Sequence, residues 1–383
     1  MKHSYIAKRF QSSAAGLSLD TEALAKYKDI IDLSIGDTDF TTDESIINAA
    51  FRDAKAGHTH YGDPKGDPEL IDAVCRAWEE DFGQRLPRDH VLVSASSCLG
   101  MALVMLAILD PGDEVIVFSP YFPMYREQIE LAGGVCVDVP TYASEDYAID
   151  EARLRAAITP RTKAIVFNNP TNPTGMGYDG KTLELLARVA QEHDLLIAAD
   201  EIYTTYLYEG DFCPIRTLPG MAERTITLNS FSKNFLMTGW RVGVIIAEPE
   251  LLAVMNRVNG SLIYSAPSVS QRAALQALAM RKEIREKYVT AYRDRIFYAA
   301  DRIEKIPYLS LVRPKGTFYL FPGVEKTGLD EKAFCKVLLD QAHVLVSPGT
   351  PFGVSAAGHF RIACTVGIDR LKAAFDRMEK LSF

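Results

Sequence analysis

Short apolar runs rich in β-branched residues alternate with amphipathic helical stretches through residues 91–247 of the chain. Buried parallel strands read as nearly continuous apolar runs, and helical crossovers join them on both faces of a sheet. The pattern therefore predicts an α/β fold with a mostly parallel, seven-stranded sheet covered by helices on both faces. The predicted strands are Val91–Ser94, Glu114–Phe118, Val135–Val139, Ala164–Phe167, Leu195–Ala199, Thr225–Leu228 and Val242–Ala247.

One connection in this sheet is unusually short. Only residues 231–240 separate the last two predicted strands, whereas parallel neighbours need a crossover of about a dozen residues or more. We therefore expect the strand Val242–Ala247 to run antiparallel to its neighbours. In the parallel part of the sheet, ligand-binding groups are expected at the C-terminal ends of the strands.

The C-terminal sequence predicts a second, smaller unit. Helical patterning from Pro249 to Lys287 leads away from the sheet, and a chain of 383 residues exceeds what one core normally covers. We expect a large domain at residues 45–287 and a small α+β domain formed by residues 1–44 and 288–383, joined by a long helix. The predicted strands of the small domain are Tyr308–Val312, Thr317–Phe321, Val344–Ser347 and Phe360–Ala363.

Composition and charge exclude some classes of function for this protein. The chain is 48% hydrophobic and 24% charged, as is ordinary for a soluble globular enzyme. Its net charge of −8 argues against nucleic acid or an anionic membrane as the main partner. The six cysteines show no C-x-x-C pair and no metal-ligand spacing with the histidines. With no apolar run long enough for a signal peptide or a membrane span, we expect a cytoplasmic protein with reduced thiols and no metal.

The strongest chemical signal is the stretch Ser230-Phe231-Ser232-Lys233, with Arg241 eight residues on. A lysine at a strand end can hold an aldehyde cofactor as a Schiff base. Hydroxyl groups and an arginine beside it can neutralise a phosphate. This combination predicts pyridoxal 5'-phosphate (PLP) as the cofactor, bound through Lys233.

Two other strand ends carry groups that suit the same cofactor. Asp200 follows a buried apolar strand in the motif DEIY (200–203), and an unpaired carboxylate is costly to bury there. A protonated pyridine nitrogen would offset that cost and keep the ring an electron sink. Tyr203 would lie beside the phenolic oxygen of the ring, and Asn172, in the turn NNPTNPTG (168–175), can donate a hydrogen bond to that oxygen.

Asn172, Asp200, Tyr203, the Ser230-to-Lys233 segment and Arg241, in this order, resemble the class I/II aminotransferases of PLP fold type I. The resemblance covers nearly the whole chain. It implies a PLP-dependent aminotransferase with Lys233, Asp200 and Tyr203 in catalytic positions. Ser230 and Arg241 are then ligands of the cofactor phosphate.

The resemblance implies further cofactor contacts. Tyr61 matches the tyrosine that reaches the phosphate in the neighbouring subunit, which implies a homodimer with shared active sites. Ser97 and Cys98, at the start of a predicted helix, match the family's phosphate cup, where free N–H groups and the helix dipole favour an anion. The family usually has glycine at the position of Ser96. Phe122 matches the aromatic residue that stacks on the pyridine ring, with Tyr121 a weaker candidate.

Substrate-binding residues are implied in the same way. Arg361 matches the arginine that binds the substrate α-carboxylate, and a planar guanidinium suits this role because it forms two parallel hydrogen bonds. Gly36 matches the loop glycine whose backbone lies against the substrate. Asn172 would help Arg361 to hold the carboxylate. Lys233 would then move the α-proton, transferring an amino group between an L-amino acid and a 2-oxo acid.

A PLP-dependent carbon–sulfur β-lyase of the same fold is the alternative. That branch tends to carry histidine after Asp-Glu-Ile and lacks the segment TGWRVG (238–243), so Tyr203 and Arg241 favour the aminotransferase. A DNA-binding regulator with such a domain needs a longer basic N-terminal module than the sequence has before the sheet. A nicotinamide-dependent oxidoreductase is disfavoured because no G-x-G-x-x-G follows any predicted strand.

The substrate side chain stays open at this stage. One branch of aspartate-type enzymes reaches a distal carboxylate with a lysine in the phosphate-cup segment, and Cys98 occupies that position here. We therefore expect a neutral or aromatic side chain to be preferred over an acidic one. Another basic residue, or an arginine of the partner subunit, could still supply the contact.

Overall fold

In the computed structural model, Tyr5, Ala7 and residues 27–383 are described, and the rest of the predicted segment 1–44 lies outside the described residues. The strands are β1 (Ile31–Asp32), β2 (Val91–Ser94), β3 (Glu114–Ser119), β4 (Val135–Pro140), β5 (Thr162–Asn168), β6 (Leu196–Asp200), β7 (Thr225–Ser230), β8 (Gly243–Ile246), β9 (Tyr319–Leu320), β10 (Val344–Leu345), β11 (Ser347–Pro348) and β12 (Phe360–Ala363). The α-helices are α1 (Glu44–Lys55), α2 (Pro68–Phe82), α3 (Ser97–Ile108), α4 (Met124–Leu131), α5 (Glu151–Ala156), α6 (Gly180–Glu192), α7 (Phe231–Asn234), α8 (Pro249–Leu262), α9 (Ser268–Ala279), α10 (Arg281–Ile284), α11 (Thr290–Ile303), α12 (Glu331–Val337) and α13 (Ile368–Met378).

The central sheet has seven strands in the order β2-β8-β7-β6-β5-β3-β4. All neighbouring pairs are parallel except those of β8, which runs antiparallel to both β2 and β7. The predicted sheet and the predicted direction of its last strand are both confirmed. The connection after β7 holds only the single-turn helix α7 and a short turn, so the chain re-enters the sheet in the opposite direction.

Side chains of the central strands alternate between two apolar layers. In β3, Val115 and Val117 pack with residues of α3, α4 and α8, whereas Ile116 and Phe118 pack with residues of α5 and α6. Successive side chains of a strand point to opposite faces, so an apolar run of this kind must be covered on both sides. This packing confirms the predicted helices on both faces.

A separate apolar cluster lies outside the central sheet. It joins Ile31 of β1 and Val344 of β10, which pair in parallel, to Ile296 of α11, Phe334 of α12 and Phe375 of α13. The strands β11, β12 and β9 form an antiparallel sheet beside it. The division into domains at 45–287 and at 1–44 with 288–383 remains a prediction.

The strand predicted at Tyr308–Val312 was wrong. Ser310 exchanges two backbone hydrogen bonds with Gly323, at 2.9 and 3.2 Å, in an isolated bridge. The residue before Gly323 is Pro322, which has no N–H to continue a ladder. The run is apolar because Tyr308 and Leu309 are buried against the C-terminal helices.

The long helix predicted between the domains spans 281–303 but is not a uniform α-helix. A π-helical turn at Arg285–Val289 separates α10 from α11. The predicted strand Val344–Ser347 is likewise divided into β10 and β11, and Thr317–Phe321 is reduced to β9. Among the described helices, none is long and apolar enough to cross a membrane.

Candidate active site

A cavity of about 880 Å³ lies at the C-terminal edge of the central sheet. The strands β5, β6 and β7 end there at Asn168, Asp200 and Ser230, as predicted for ligand-binding groups in a parallel sheet. Residues from the start of α3, from the small antiparallel sheet and from α12 form other parts of its wall. All the predicted site residues line it except Tyr61.

Asp200 is buried at the end of β6, and its two carboxylate oxygens differ. The Tyr125 hydroxyl donates a hydrogen bond to Oδ2, whereas Oδ1 is buried without a hydrogen-bond partner among the described residues. Burial raises the pKa of Asp200 from 3.8 to about 6. A buried carboxylate with one unused oxygen fits a cationic N–H ligand, such as the protonated pyridine nitrogen of PLP.

Lys233 projects from α7, whose first turn is capped by Ser230. The Ser230 Oγ accepts a hydrogen bond from the Ser232 N–H at 3.1 Å, so the side chain that caps the helix also orders the turn that carries the lysine. Lys233 Nζ donates a hydrogen bond to the carbonyl oxygen of Gly36. The two residues that the sequence assigned to cofactor and substrate are thus in direct contact.

Gly36 has no room for a side chain. A Cβ at this position would lie 1.8 Å from the hydroxyl oxygen of Tyr319. The close approach of the backbone to Tyr319 therefore requires glycine. The loop that contains Gly36 is held against the cavity by this contact and by the bond to Lys233.

The phosphate-binding candidates lie at the start of α3 and in the turn before β8. Ser97 and Cys98 are the first residues of α3, where backbone N–H groups have no partner within the helix. Arg241 is exposed, donates to the Thr238 carbonyl oxygen at 2.9 Å and forms no ion pair with any described carboxylate. A helix N-terminus and a free guanidinium on one cavity wall fit a phosphate dianion.

Arg361 is 4% exposed and has no carboxylate partner in the described part of the chain. Its Nη1 donates to Asn172 Oδ1 at 3.0 Å and its Nη2 donates to the Ser34 carbonyl oxygen at 2.6 Å. The guanidinium carbon lies 4.7 Å from the ring centroid of Tyr319 and 4.9 Å from that of Phe352. Burial lowers the pKa of Arg361, and an anionic ligand would compensate this buried charge.

The two aromatic residues considered for stacking on the pyridine ring differ in position. Phe122 lines the cavity, whereas Tyr121 lies behind it and its hydroxyl accepts a hydrogen bond from Arg126 Nε at 2.9 Å. The hydroxyl oxygens of Tyr203 and Tyr319 are 3.2 Å apart, and burial raises the pKa of Tyr203 well above its ordinary value. Tyr203 therefore faces the cavity as a neutral hydroxyl.

Tyr61 is not brought to this cavity. It is 88% exposed, and its ring centroid lies 5.1 Å from that of Tyr264. Placement on the surface is compatible with a role in a neighbouring subunit and excludes direct contact with the cavity of its own chain.

Sequence reasoning missed three residues of the site. Tyr125, which binds Asp200, lies three residues after Phe122 at the start of α4, and that proximity in sequence could have identified it. Tyr319 and Ser34 belong to the small sheet and the loop after β1, and no local pattern associates them with the ends of β5 to β7. They contact Arg361 only through the tertiary arrangement.

Comparison with known proteins identifies the family. Residues 28–378 match the family model for class I and II aminotransferases. The aspartate/prephenate aminotransferase of Thermus thermophilus is 38% identical over 357 residues, 92% of this chain and 91% of that protein. The arginine–pyruvate transaminase of Pseudomonas aeruginosa is 35% identical over 382 residues, 99% of this chain and 97% of that protein.

A solved structure agrees with these matches. The aromatic aminotransferase of Pyrococcus horikoshii superposes with a TM-score of 0.90 at 34% identity, covering 94% of this chain and 97% of that one. Members of the family use PLP, and the unpaired Asp200 oxygen, the free Arg241 and the amine of Lys233 fit that cofactor. Nothing in the comparisons favours the lyase. The chain belongs to the class I and II aminotransferases and is a PLP-dependent aminotransferase.

Proposed function

We propose that Lys233 is the residue that holds PLP covalently and moves the substrate α-proton, while Arg361 binds the substrate α-carboxylate. The observation that carries this proposal is a pair of buried charges for which the described residues offer no charged partner. Asp200 and Arg361 are both buried and both line the cavity that contains the Lys233 amine. An unpaired buried charge is costly unless a ligand compensates it, so both charges point to a ligand with a cationic and an anionic end.

PLP, when bound, supplies an aldehyde that condenses with amines and a cationic ring that withdraws electrons from the substrate α-carbon. Asp200 would maintain the positive charge of the ring nitrogen through its unused oxygen. Phe122 would pack on the ring, and Tyr203 and Asn172 would donate hydrogen bonds to the phenolic oxygen. Ser97, Cys98, Ser230 and Arg241 would hold the phosphate.

Arg361 and Asn172 orient the amino acid. Because Asn172 Oδ1 is occupied by the Arg361 guanidinium, its amide NH₂ is available as a donor. The guanidinium is fixed by the Asn172 and Ser34 contacts and by the rings of Tyr319 and Phe352. A fixed guanidinium holds the carboxylate and thereby the α-carbon at a defined distance from Lys233.

Lys233 Nζ would then take the proton from the substrate α-carbon and deliver it to the former aldehyde carbon of the cofactor, after which water would release the 2-oxo acid and leave the amino group on the cofactor. Positioned acid–base catalysis of this kind contributes roughly 10²–10⁴-fold to the rate. The hydrogen bond to the Gly36 carbonyl oxygen holds Nζ beside the loop that contains Gly36. The overall reaction converts an amino acid into its 2-oxo acid and a second 2-oxo acid into its amino acid.

The enzyme would act on L-amino acids as a cytosolic homodimer. The names of its relatives cover acidic, aromatic and basic substrate side chains, so they do not select one. An exposed apolar segment, Leu262 to Tyr264, contacts Tyr61 through Tyr264 and supports an interface at that surface. In a dimer, Tyr61 would reach the cofactor phosphate of the partner subunit.

The assignment of Lys233 is tested by borohydride reduction of the PLP-loaded enzyme and peptide mapping. We expect one pyridoxyl label, on Lys233 in the wild type, and none in Lys233→Ala. Lys326→Ala, which removes an exposed lysine outside the cavity, is the matched control and should retain the label. Non-covalent PLP binding by Lys233→Ala, followed by its absorbance, shows that the variant is folded. A label on another lysine, or wild-type activity in Lys233→Ala, would refute the assignment.

A further inference from the structure

The cavity carries more positive charge than the proposed ligands require. Among the described residues that line it, five are cationic and one, Asp200, is acidic. The proposed roles use three of the cations: Arg241 for the phosphate, Arg361 for the α-carboxylate and Lys233 for the amine chemistry. Lys332 and Lys336 remain without a role.

Lys332 and Lys336 lie four residues apart on α12 and therefore face the same side of the helix. Lys336 Nζ forms an ion pair with Asp340 Oδ2 at 2.5 Å. Lys332 forms no ion pair with any carboxylate that the structure describes. Its neighbour Glu331 is directed elsewhere, since its carboxylate accepts hydrogen bonds from the Thr350 hydroxyl and from the Gly358 N–H at 3.0 Å. Lys332 is thus an exposed cation that lines the cavity and has no carboxylate partner among the described residues.

The helix that carries Lys332 is coupled to the strand that carries Arg361. Helix α12 packs against β11, and Ser347 of β11 pairs directly with Arg361 of β12. Leu339, Leu345 and Val346 line the same cavity. A substrate anchored at Arg361 therefore shares this cavity with apolar side chains and with the Lys332 ammonium group.

We propose that Lys332, assisted by Lys336, binds the second carboxylate of a dicarboxylic amino acid or 2-oxo acid. The inference rests on the proposed function, because it takes Arg361 as the anchor of the first carboxylate. An ammonium group on a flexible four-carbon stem can follow side chains of different length, so both four- and five-carbon dicarboxylates fit. This outcome differs from the preference for neutral or aromatic side chains expected from Cys98, because the cation comes from α12 and not from the phosphate cup.

The test compares amino donors in single-turnover reactions of the PLP-loaded enzyme, read by cofactor absorbance. The donors are aspartate, glutamate, alanine, phenylalanine and arginine, and the variants are Lys332→Met, Lys332→Glu and Lys336→Met, with Lys326→Met as the matched control. Binding of succinate, a dicarboxylate without an amino group, is titrated separately against propionate. This second readout does not depend on turnover.

We expect Lys332→Met to lower the second-order rate constant for aspartate and glutamate roughly two- to fivefold, the range for one charged contact at an exposed site. Alanine and phenylalanine should change less than about twofold, since neither makes that contact. Lys332→Glu should lower the rate constants for aspartate and glutamate further and raise the rate constant for arginine relative to them. Lys336→Met should have a smaller effect because Asp340 already neutralises its charge. Succinate affinity should fall in parallel, and the effect should shrink at high salt.

Two negative outcomes are distinguishable. In the first, the wild type converts these donors, and Lys332→Met behaves like the control Lys326→Met: both keep the wild-type ratio of dicarboxylate to alanine rates and the wild-type affinity for succinate. This outcome refutes the role of Lys332 and leaves the aminotransferase mechanism standing. If the wild type converts none of the donors, the proposed function fails and this inference fails with it.

Discussion

At the residue scale, the buried carboxylate of Asp200 suits the cofactor but lowers the stability of the cofactor-free protein. Burial raises its pKa from 3.8 to about 6, and Tyr125 satisfies only one of its oxygens. Without PLP the folded state therefore binds a proton more tightly than the unfolded state does. The contribution of Asp200 to the stability of the cofactor-free protein is present below about pH 4, falls as the pH rises from about 4 to about 6, and is lost above that range.

Asp200→Asn should abolish this pH dependence, because the amide keeps the shape of the carboxyl group and cannot ionise. A shift of about two pKa units corresponds to about 3 kcal/mol. The cofactor-free variant should exceed the wild type by about that free energy of unfolding at pH 7–8 and by little at pH 4. Urea unfolding across this pH range measures the difference.

Addition of PLP should reverse the effect of the Asp200 carboxylate on the free energy of unfolding. The wild type should gain more stability from PLP than Asp200→Asn, because only the carboxylate pairs with the cationic ring nitrogen. A difference in stability between the two cofactor-free proteins that is independent of pH would contradict the role of burial at Asp200.

At the element scale, the start of α3 combines a favourable cap with an unfavourable backbone. Ser96 has φ 94° and ψ 154°, a conformation that glycine adopts readily and other residues rarely do. Its Oγ accepts a hydrogen bond from the Leu99 N–H at 3.2 Å. The glycine usual in the family at this position is thus explained by the backbone, and this chain tolerates serine with a cap as partial compensation.

Ser96→Gly should therefore stabilise the protein. Strain of this kind costs about 1–3 kcal/mol, whereas replacing a serine cap by glycine costs only a few tenths of a kcal/mol and the flexibility of glycine in the unfolded state about 0.5–1 kcal/mol. Ser96→Ala, the matched control, keeps the strained backbone and loses the cap. Urea unfolding should give the order of stability Gly, Ser, Ala, and a Gly variant below Ala would contradict the strain at Ser96.

At the scale of the whole molecule, the active site of one chain is incomplete if Tyr61 serves the neighbouring subunit. Tyr61 lies on the surface against Tyr264, outside the cavity of its own chain. The phosphate end of that cavity would then be closed only in the assembled dimer. Cofactor affinity and oligomeric state should consequently be linked.

Mixed dimers test this arrangement. In a hybrid of a Tyr61→Phe subunit and a Lys233→Ala subunit, one site has both residues intact and the other has neither. Mixed, refolded samples at limiting PLP should be more active than the sum of the two parents. Activity equal to that sum, with hybrids demonstrated by mass spectrometry, would show that Tyr61 does not act across the interface.

The sequence by itself determined the central sheet, the antiparallel direction of β8, and the candidates Lys233, Asp200 and Asn172. These follow from local patterns, because apolar runs define strands and polar residues at parallel strand ends meet at one edge. Arg361 was implied only by the resemblance to the family. The strand predicted at Tyr308–Val312 was wrong because it also depended on a local apolar run. Such a run indicates burial, whether or not its backbone pairs with another strand.

Only the tertiary structure decided which distant residues complete the site. It placed Tyr125 on Asp200, Tyr319 and Ser34 around Arg361, and Lys332 on the cavity wall. It also showed that Asp200 and Arg361 have no charged partner within the described part of the chain, which depends on the position of every other charge around them. Contacts of this kind join residues far apart in the chain, and their geometry is set by the packing of whole elements and not by the pattern within any one of them.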